Sequence, residues 1–162
     1  MGEFIVAVKS LIVYNKKVLL LQKSGGEWMH NENKWEFAGG CLEFGESLSQ
    51  GLAREVFEET GLTVRTDRLL CASTHVPASP AHQKQFVFLY YLSRADTDEV
   101  KLSGEHKNFL WACREQMIDL LDKPVWDDLV SNAIPDTLDI ESRVASANGH
   151  GLRGKPLRHA GK

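Results

Sequence analysis

From Phe4 to Tyr14 the chain is almost unbroken in Val, Ile and Leu, which predicts one long strand. Asn15-Lys16-Lys17 reads as a turn, and Val18 to Gln22 as a second strand paired with the first in a hairpin. Lys23 to Asn33 is a polar, glycine-containing loop, followed by a short strand over Lys34 to Ala38. The period then changes to that of a helix. Ser47 and Gln50 have the spacing of a capping box, so the helix starts at about Leu48, and Gly61 is the residue type that ends one in a left-handed turn. Leu52, Ala53, Val56 and Thr60 form its packing face. Strand material returns at Thr63–Arg65 and Leu69–His75, and Val76 to Lys84 is a loop by its prolines and polar residues. In Gln85 to Ser93, Phe86, Phe88 and Tyr90 alternate with Val87, Leu89 and Tyr91. Both faces are apolar, which predicts a central strand covered by helices on both sides and hence a three-layer arrangement. Arg94 to Lys107 reads as a surface loop, Asn108 to Cys113 as a short strand, and Arg114 to Leu121 as a short helix. Asp122 is placed to cap a last helix with Pro124 in its first turn and Trp126, Leu129, Val130 and Ala133 on its buried face.

One helix face does not fit a purely structural role. Glu55, Glu58 and Glu59 have i, i+3 and i+4 spacing and share a side. Like charges so placed repel by roughly 0.2–0.5 kcal/mol per pair. Two readings stand: a solvated acidic face, or a site for a hard divalent cation that takes carboxylate oxygens and keeps waters for a phosphate substrate. Arg54, always cationic, is no ligand; a bidentate pair with a glutamate, Glu46 foremost, suits it better.

The wider pattern carries a resemblance. Gly40, Glu46, Arg54-Glu55-Val56, Glu58-Glu59 and Gly61-Leu62 match the Nudix box at every fixed position, so the chain resembles the Nudix hydrolases. The resemblance implies an α/β fold, an α/β/α sandwich around a central mixed β-sheet. It implies Mg²⁺-dependent hydrolysis, with Mn²⁺ as a substitute, of a nucleoside diphosphate linked to another moiety. The implied metal ligands are Glu55, Glu58, Glu59 and the backbone carbonyl of Gly40. The implied general base is a box glutamate, Glu58, or a loop glutamate, for which Glu105 is the first candidate and Glu99 the second. Arg54 joins the catalytic set as the residue that orients a glutamate. Ala38 stands where most of the family has proline before the double glycine. Pro77 has a spacing from Gly61 that resembles the ADP-ribose-hydrolysing subgroup. The alternatives are a nucleoside-triphosphate pyrophosphohydrolase and, from another class, an inactive Nudix-fold nucleotide-binding module. In such modules the box glutamates are usually broken, and here all are present. Trp28 has two readings, a stacking partner for a nucleobase or a lid folded back on the core, and His75, His82 and His106 could touch substrate.

Composition narrows the setting. The 162 residues suit one domain, taken as residues 1–145, followed by a basic tail, 146–162, that is too poor in large apolar residues to fold by itself. The net charge of −3 is uneven: Arg143, Arg153, Lys155, Arg158 and Lys162 fall in the last stretch with no acid among them, leaving the rest markedly acidic. An acidic domain is a poor partner for nucleic acid and approaches a polyphosphate with cations present. The expected partner is a nucleotide or nucleoside diphosphate derivative, with a homodimer left open. No apolar run approaches the ~20 residues of a membrane span, and the N-terminal residues read as a strand rather than a signal peptide. Cys41, Cys71 and Cys113 form no CxxC pair, so neither zinc nor a disulfide framework is expected and a cytoplasmic setting is the simplest. Cys41, in acidic surroundings, reads as inert.

Overall fold

A computed structural model of the chain describes residues 2–25, 33–77, 83–138 and 140. The elements are β1 (Glu3–Tyr14), β2 (Lys17–Lys23), β3 (Trp35–Glu36), α1 (Leu48–Thr60), β4 (Val64–His75), β5 (Lys84–Ala95), β6 (His106–Ala112), α2 (Arg114–Leu120), α3 (Lys123–Ser131) and α4 (Ile134–Thr137). They form one mixed six-stranded sheet in the order β3-β2-β1-β5-β4, with β6 paired to β2. β1 and β5 run parallel from Glu3↔Lys84 to Val13↔Arg94, and the other pairings are antiparallel.

The period of two along the strands sorts the core onto the two faces of the sheet. Leu11, Val13, Val18, Leu20, Tyr90 and Leu92 face a cluster closed by Met117, Leu121, Leu129 and Ile134 of the C-terminal helices and their connections. Val8, Ile12, Leu19 and Leu21 face the other way and pack under Leu52 and Val56 of α1. This is the expected three-layer sandwich. α1 is also set by local chemistry: Ser47 Oγ accepts from the Gln50 amide, the Gln50 side chain accepts from the Ser47 amide, and Gly61 ends the helix at φ 68°.

Several expectations need correction. Thr63–Arg65 and Leu69–His75 merge into the single edge strand β4, with register shifts at Thr66/Arg68 and Leu69/Cys71; bulges absorb the polar interruption there. The strand over Lys34–Ala38 shortens to Trp35–Glu36, because the chain bends to run beside β1, where Ala38 bridges Ser10 and Cys41 bridges Ala7. Ala53 of α1 is exposed. α3 stops at Ser131; Val130 is half exposed and Ala133 turns left-handed at φ 53°, so neither joins the buried stripe of Leu129. Asp122 stands at the N-cap without a side-chain bond to the helix, its carboxylate being held by Lys34 at 2.6 Å. His106, expected in a surface loop, opens β6 and is buried. β5 lies inside the sheet, but at Phe86 and Phe88 it borders an open cleft instead of a helix. Trp28, His82 and the tail from Ser146 lie outside the described residues.

Candidate active site

The cleft measures about 860 Å³ and opens where the parallel pair β1/β5, the double glycine and α1 meet. Lys9, Glu36, Glu55, Glu59, Glu105 and the rings of Phe86 and Phe88 are in its wall. Its floor is the segment that follows β3. The Val8 amide donates to Gly40 O at 2.9 Å, the Ser10 amide to Ala38 O at 2.8 Å and the Leu42 amide to Val6 O at 3.0 Å, so this segment is bridged to β1 on both sides of the double glycine. Two glycines shape it. Gly39 has φ +127°, and a β-carbon there would drive into Val8 O. Gly40 is small for a different reason: a β-carbon would lie 2.6 Å from the Glu55 carboxylate, which rests against the bare backbone.

Arg54 organises the glutamates. Its Nε donates to Glu46 Oε1 at 2.7 Å and its Nη2 to Glu46 Oε2 at 3.0 Å and to Cys41 O at 3.2 Å. Its Nη1 donates to Glu55 Oε1 at 2.9 Å and to Glu58 Oε2 at 3.1 Å. A guanidinium has five N–H donors, and all of them are engaged by protein. Arg54 is therefore a positioning residue, and the bidentate pair with Glu46 is the one expected. That pairing holds the Glu46 carboxyl down to about 2, with the Glu43 amide as a second donor, and raises Arg54 further above its ordinary value.

The three box glutamates are left in a common state. Glu55 has Oε1 on Arg54, Glu58 has Oε2 on Arg54, and Glu59 has Oε2 on the Gly39 amide at 2.7 Å. Among the described residues, the second oxygen of each accepts no hydrogen bond. Carboxylate oxygens are the donors that a Mg²⁺-type ion takes, and Gly40 makes room for that of Glu55. Glu55 and Glu59 line the cleft, whereas Glu58 stands at an exposed rim. Gly40 O accepts from Val8 and keeps a second lone pair. Burial raises the Glu59 carboxyl above its ordinary value, against the pull of Lys9 and the Gly39 amide.

The loop candidates separate. Glu105 lines the cleft, its backbone carbonyl held by the Ser24 amide at 2.8 Å, while Glu99 is exposed and outside it. His75 and Pro77 are at the wall, near Phe86 and Phe88, whose rings stack 5.8 Å apart at 8°.

Sequence reasoning missed the layer beneath. Lys9 Nζ donates to Glu36 Oε2 at 3.2 Å, Phe37 O at 3.3 Å and Gly39 O at 2.5 Å. Glu36 Oε1 meets Lys23 Nζ at 3.2 Å and His106 Nε2 at 3.2 Å, and His106 stands 4.0 Å from Glu59 Oε1. Burial works against charge on Glu36, but Lys9, His106 and Lys23 outweigh it and hold its carboxyl down to about 2. The signal was a lysine in the middle of the apolar run IVAVKSLIV.

The NUDIX domain model matches residues 4–131, and the chain belongs to that family. A MutT protein from Methanosarcina mazei has a similar structure, with 28% identity, a TM-score of 0.73, and coverage of 84% of this chain and 97% of that one. An RNA pyrophosphohydrolase from Photobacterium profundum is 37% identical over 56% of this chain and 49% of its own length. Nudix hydrolase 7 from Arabidopsis thaliana is 26% identical over 73% of this chain and 42% of its own length. The chain thus matches less than half the length of these two curated relatives. Among the described residues no helix is long and apolar enough to cross a membrane.

Proposed function

We propose that the protein hydrolyses a pyrophosphate bond in a nucleoside diphosphate linked to a second moiety, with Mg²⁺ held by Glu55, Glu58, Glu59 and the Gly40 carbonyl. The observation that carries this reading is the state of the three glutamates, each with one oxygen tethered and, among the described residues, the other free of hydrogen bonds, two of them lining the cleft. Membership of the family supports it. The bound ion supplies neutralisation of charge on the phosphoryl oxygens and a lowered pKa for water. The protein's own residues do the rest. Arg54 fixes the carboxylates; Phe86, Phe88 and Pro77 offer an apolar wall for the organic part of the substrate. Glu105, inside the cleft and with no side-chain bond among the described residues, takes the proton from the attacking water, and no enzyme side chain is phosphorylated. Pro77 in this wall favours an ADP-ribose-like substrate. The likeness to an RNA pyrophosphohydrolase favours a second reading, a nucleotide carrying a terminal polyphosphate.

A panel of ADP-ribose, nucleoside triphosphates and 5′-triphosphorylated RNA, each assayed with Mg²⁺, with Mn²⁺ and with chelator, separates these readings. Turnover that requires the ion is expected, with a fall of roughly 10²-fold or more for Glu59→Gln and Glu105→Gln. If Glu105→Gln keeps the parent rate while Glu58→Gln falls, the base is Glu58. No turnover on any member would favour a nucleotide-binding module instead. One ¹⁸O from labelled water should appear in one product in a single turnover; unlabelled products would point to an oxygen donated by the protein.

A further inference from the structure

Among the described residues, one grouping brings three ligand atoms together as a metal site would: Glu36, Glu59 and His106. Both oxygens of Glu36 are already engaged, one by Lys9 and the other by Lys23 and the His106 ring, so the grouping is a satisfied ion-pair and hydrogen-bond network. Its odd member is Lys9. The side chain is only 12% exposed, and a buried ammonium is costly unless its donors are satisfied. Lysine has three donors, and Glu36, Phe37 O and Gly39 O account for all of them. Lys9 therefore has no donor left for a substrate, although it lines the cleft.

Neutralising Glu36 does not by itself require Lys9, since Lys23 and His106 also face that carboxylate. The distinctive contact is with Gly39. Lys9 holds its carbonyl at 2.5 Å while Glu59 accepts from its amide at 2.7 Å, so the peptide groups on both sides of a residue at φ +127° are fixed. The next residue, Gly40, offers its own carbonyl and makes room for Glu55. We infer that Lys9 is a positioning residue that locks the Gly39–Gly40 turn in the geometry that metal binding requires. The inference rests on the metal-dependent reading above.

Mn²⁺ binding by calorimetry and steady-state kinetics on the best substrate of the panel test it, in the parent, Lys9→Met and Lys9→Gln. Lys9→Met should weaken Mn²⁺ binding at least about tenfold and lower kcat at least about tenfold, with KM changed less than about threefold. Lys9→Gln, which retains two donors, should fall between Lys9→Met and the parent. Parent-like Mn²⁺ affinity in Lys9→Met, even with a lowered melting temperature, overturns the inference and leaves Lys9 a structural ion pair. Should Lys9→Met fail to fold, parent-like affinity in Lys9→Gln overturns it equally. A parent that binds no Mn²⁺ overturns the metal reading itself, and is told apart because the variants are then not needed.

Discussion

At the scale of single residues, the site depends on side chains that are absent as much as on those present. Gly40 is the clearest case. Its φ is not in the left-handed region, so Gly40→Ala is tolerable to the backbone, but the new methyl would lie 2.6 Å from the Glu55 carboxylate. The carboxylate must move, and with it the bond to Arg54. Gly40→Ala should therefore lower kcat by at least about tenfold while shifting the melting temperature by only a few degrees, a split that activity assays and calorimetry on one preparation would check. Gly39→Ala should behave in the opposite way and chiefly destabilise, since both its φ and the collision with Val8 O are backbone problems. Glu36 gives a pH prediction. Its carboxyl is held from 4.5 down to about 2, so folding gains stability from its charge above about pH 4.5 and loses it as pH falls toward 2. Lys9, Lys23, His106 and Glu59 all face it. Denaturation of the parent at pH 7 and pH 3 should show a clear loss; Glu36→Gln should start less stable at pH 7 and lose less on acidification.

Among the elements, α1 was legible because local chemistry determines it. Its cap, its left-handed glycine and its acidic face all follow from residues within a few positions of one another, and the observed helix begins at Leu48 and ends before Gly61. Ser47→Ala should cost about 1 kcal/mol, the usual value of a side-chain N-cap, readable by denaturant unfolding. The elements read less well are those whose limits are set from a distance. Nothing near Lys34 says that the chain will bend after Glu36 to join β1, because the partner amides of Val8 and Ser10 belong to a strand far earlier in the chain. Nothing in the period of α3 says that Ala133 will turn left-handed. The same limit explains the site. The Glu55–Glu58–Glu59 face was visible because it lies on one helix. The Lys9–Glu36–His106 layer, drawn from β1, β3 and β6, was not, because only pairing across the sheet brings it together. His106 shows this most clearly: polar neighbours made it read as surface, yet β6 pairing with β2 places it inside.

In the whole molecule, the sheet has two cores, and they bear on the site unequally. The cluster around Leu129, Met117 and Ile134 lies on the face away from α1, whereas Leu52 and Val56 fasten α1 itself to the sheet. Leu129 and Leu52 are each fully buried, so truncation of either to alanine should cost about 2–5 kcal/mol, the range for emptying a leucine site. Their effects on turnover should differ. Leu129 packs in the cluster with Met117, Ile134 and Phe88, not beneath the helix that carries the glutamates, so Leu129→Ala should keep more of its kcat per folded molecule at temperatures well below its melting point. A cavity at Leu52 lies under the helix whose next turns carry Arg54, Glu55, Glu58 and Glu59, and displacement of order 1 Å in a reacting group can cost about 10²-fold. Leu52→Ala should lower kcat even where circular dichroism finds it fully folded, and the loss should be mirrored in weaker Mn²⁺ binding. Equal kcat in the two variants would mean that α1 is held in place by its own caps and by the Arg54 network, with the apolar face beneath it contributing stability alone.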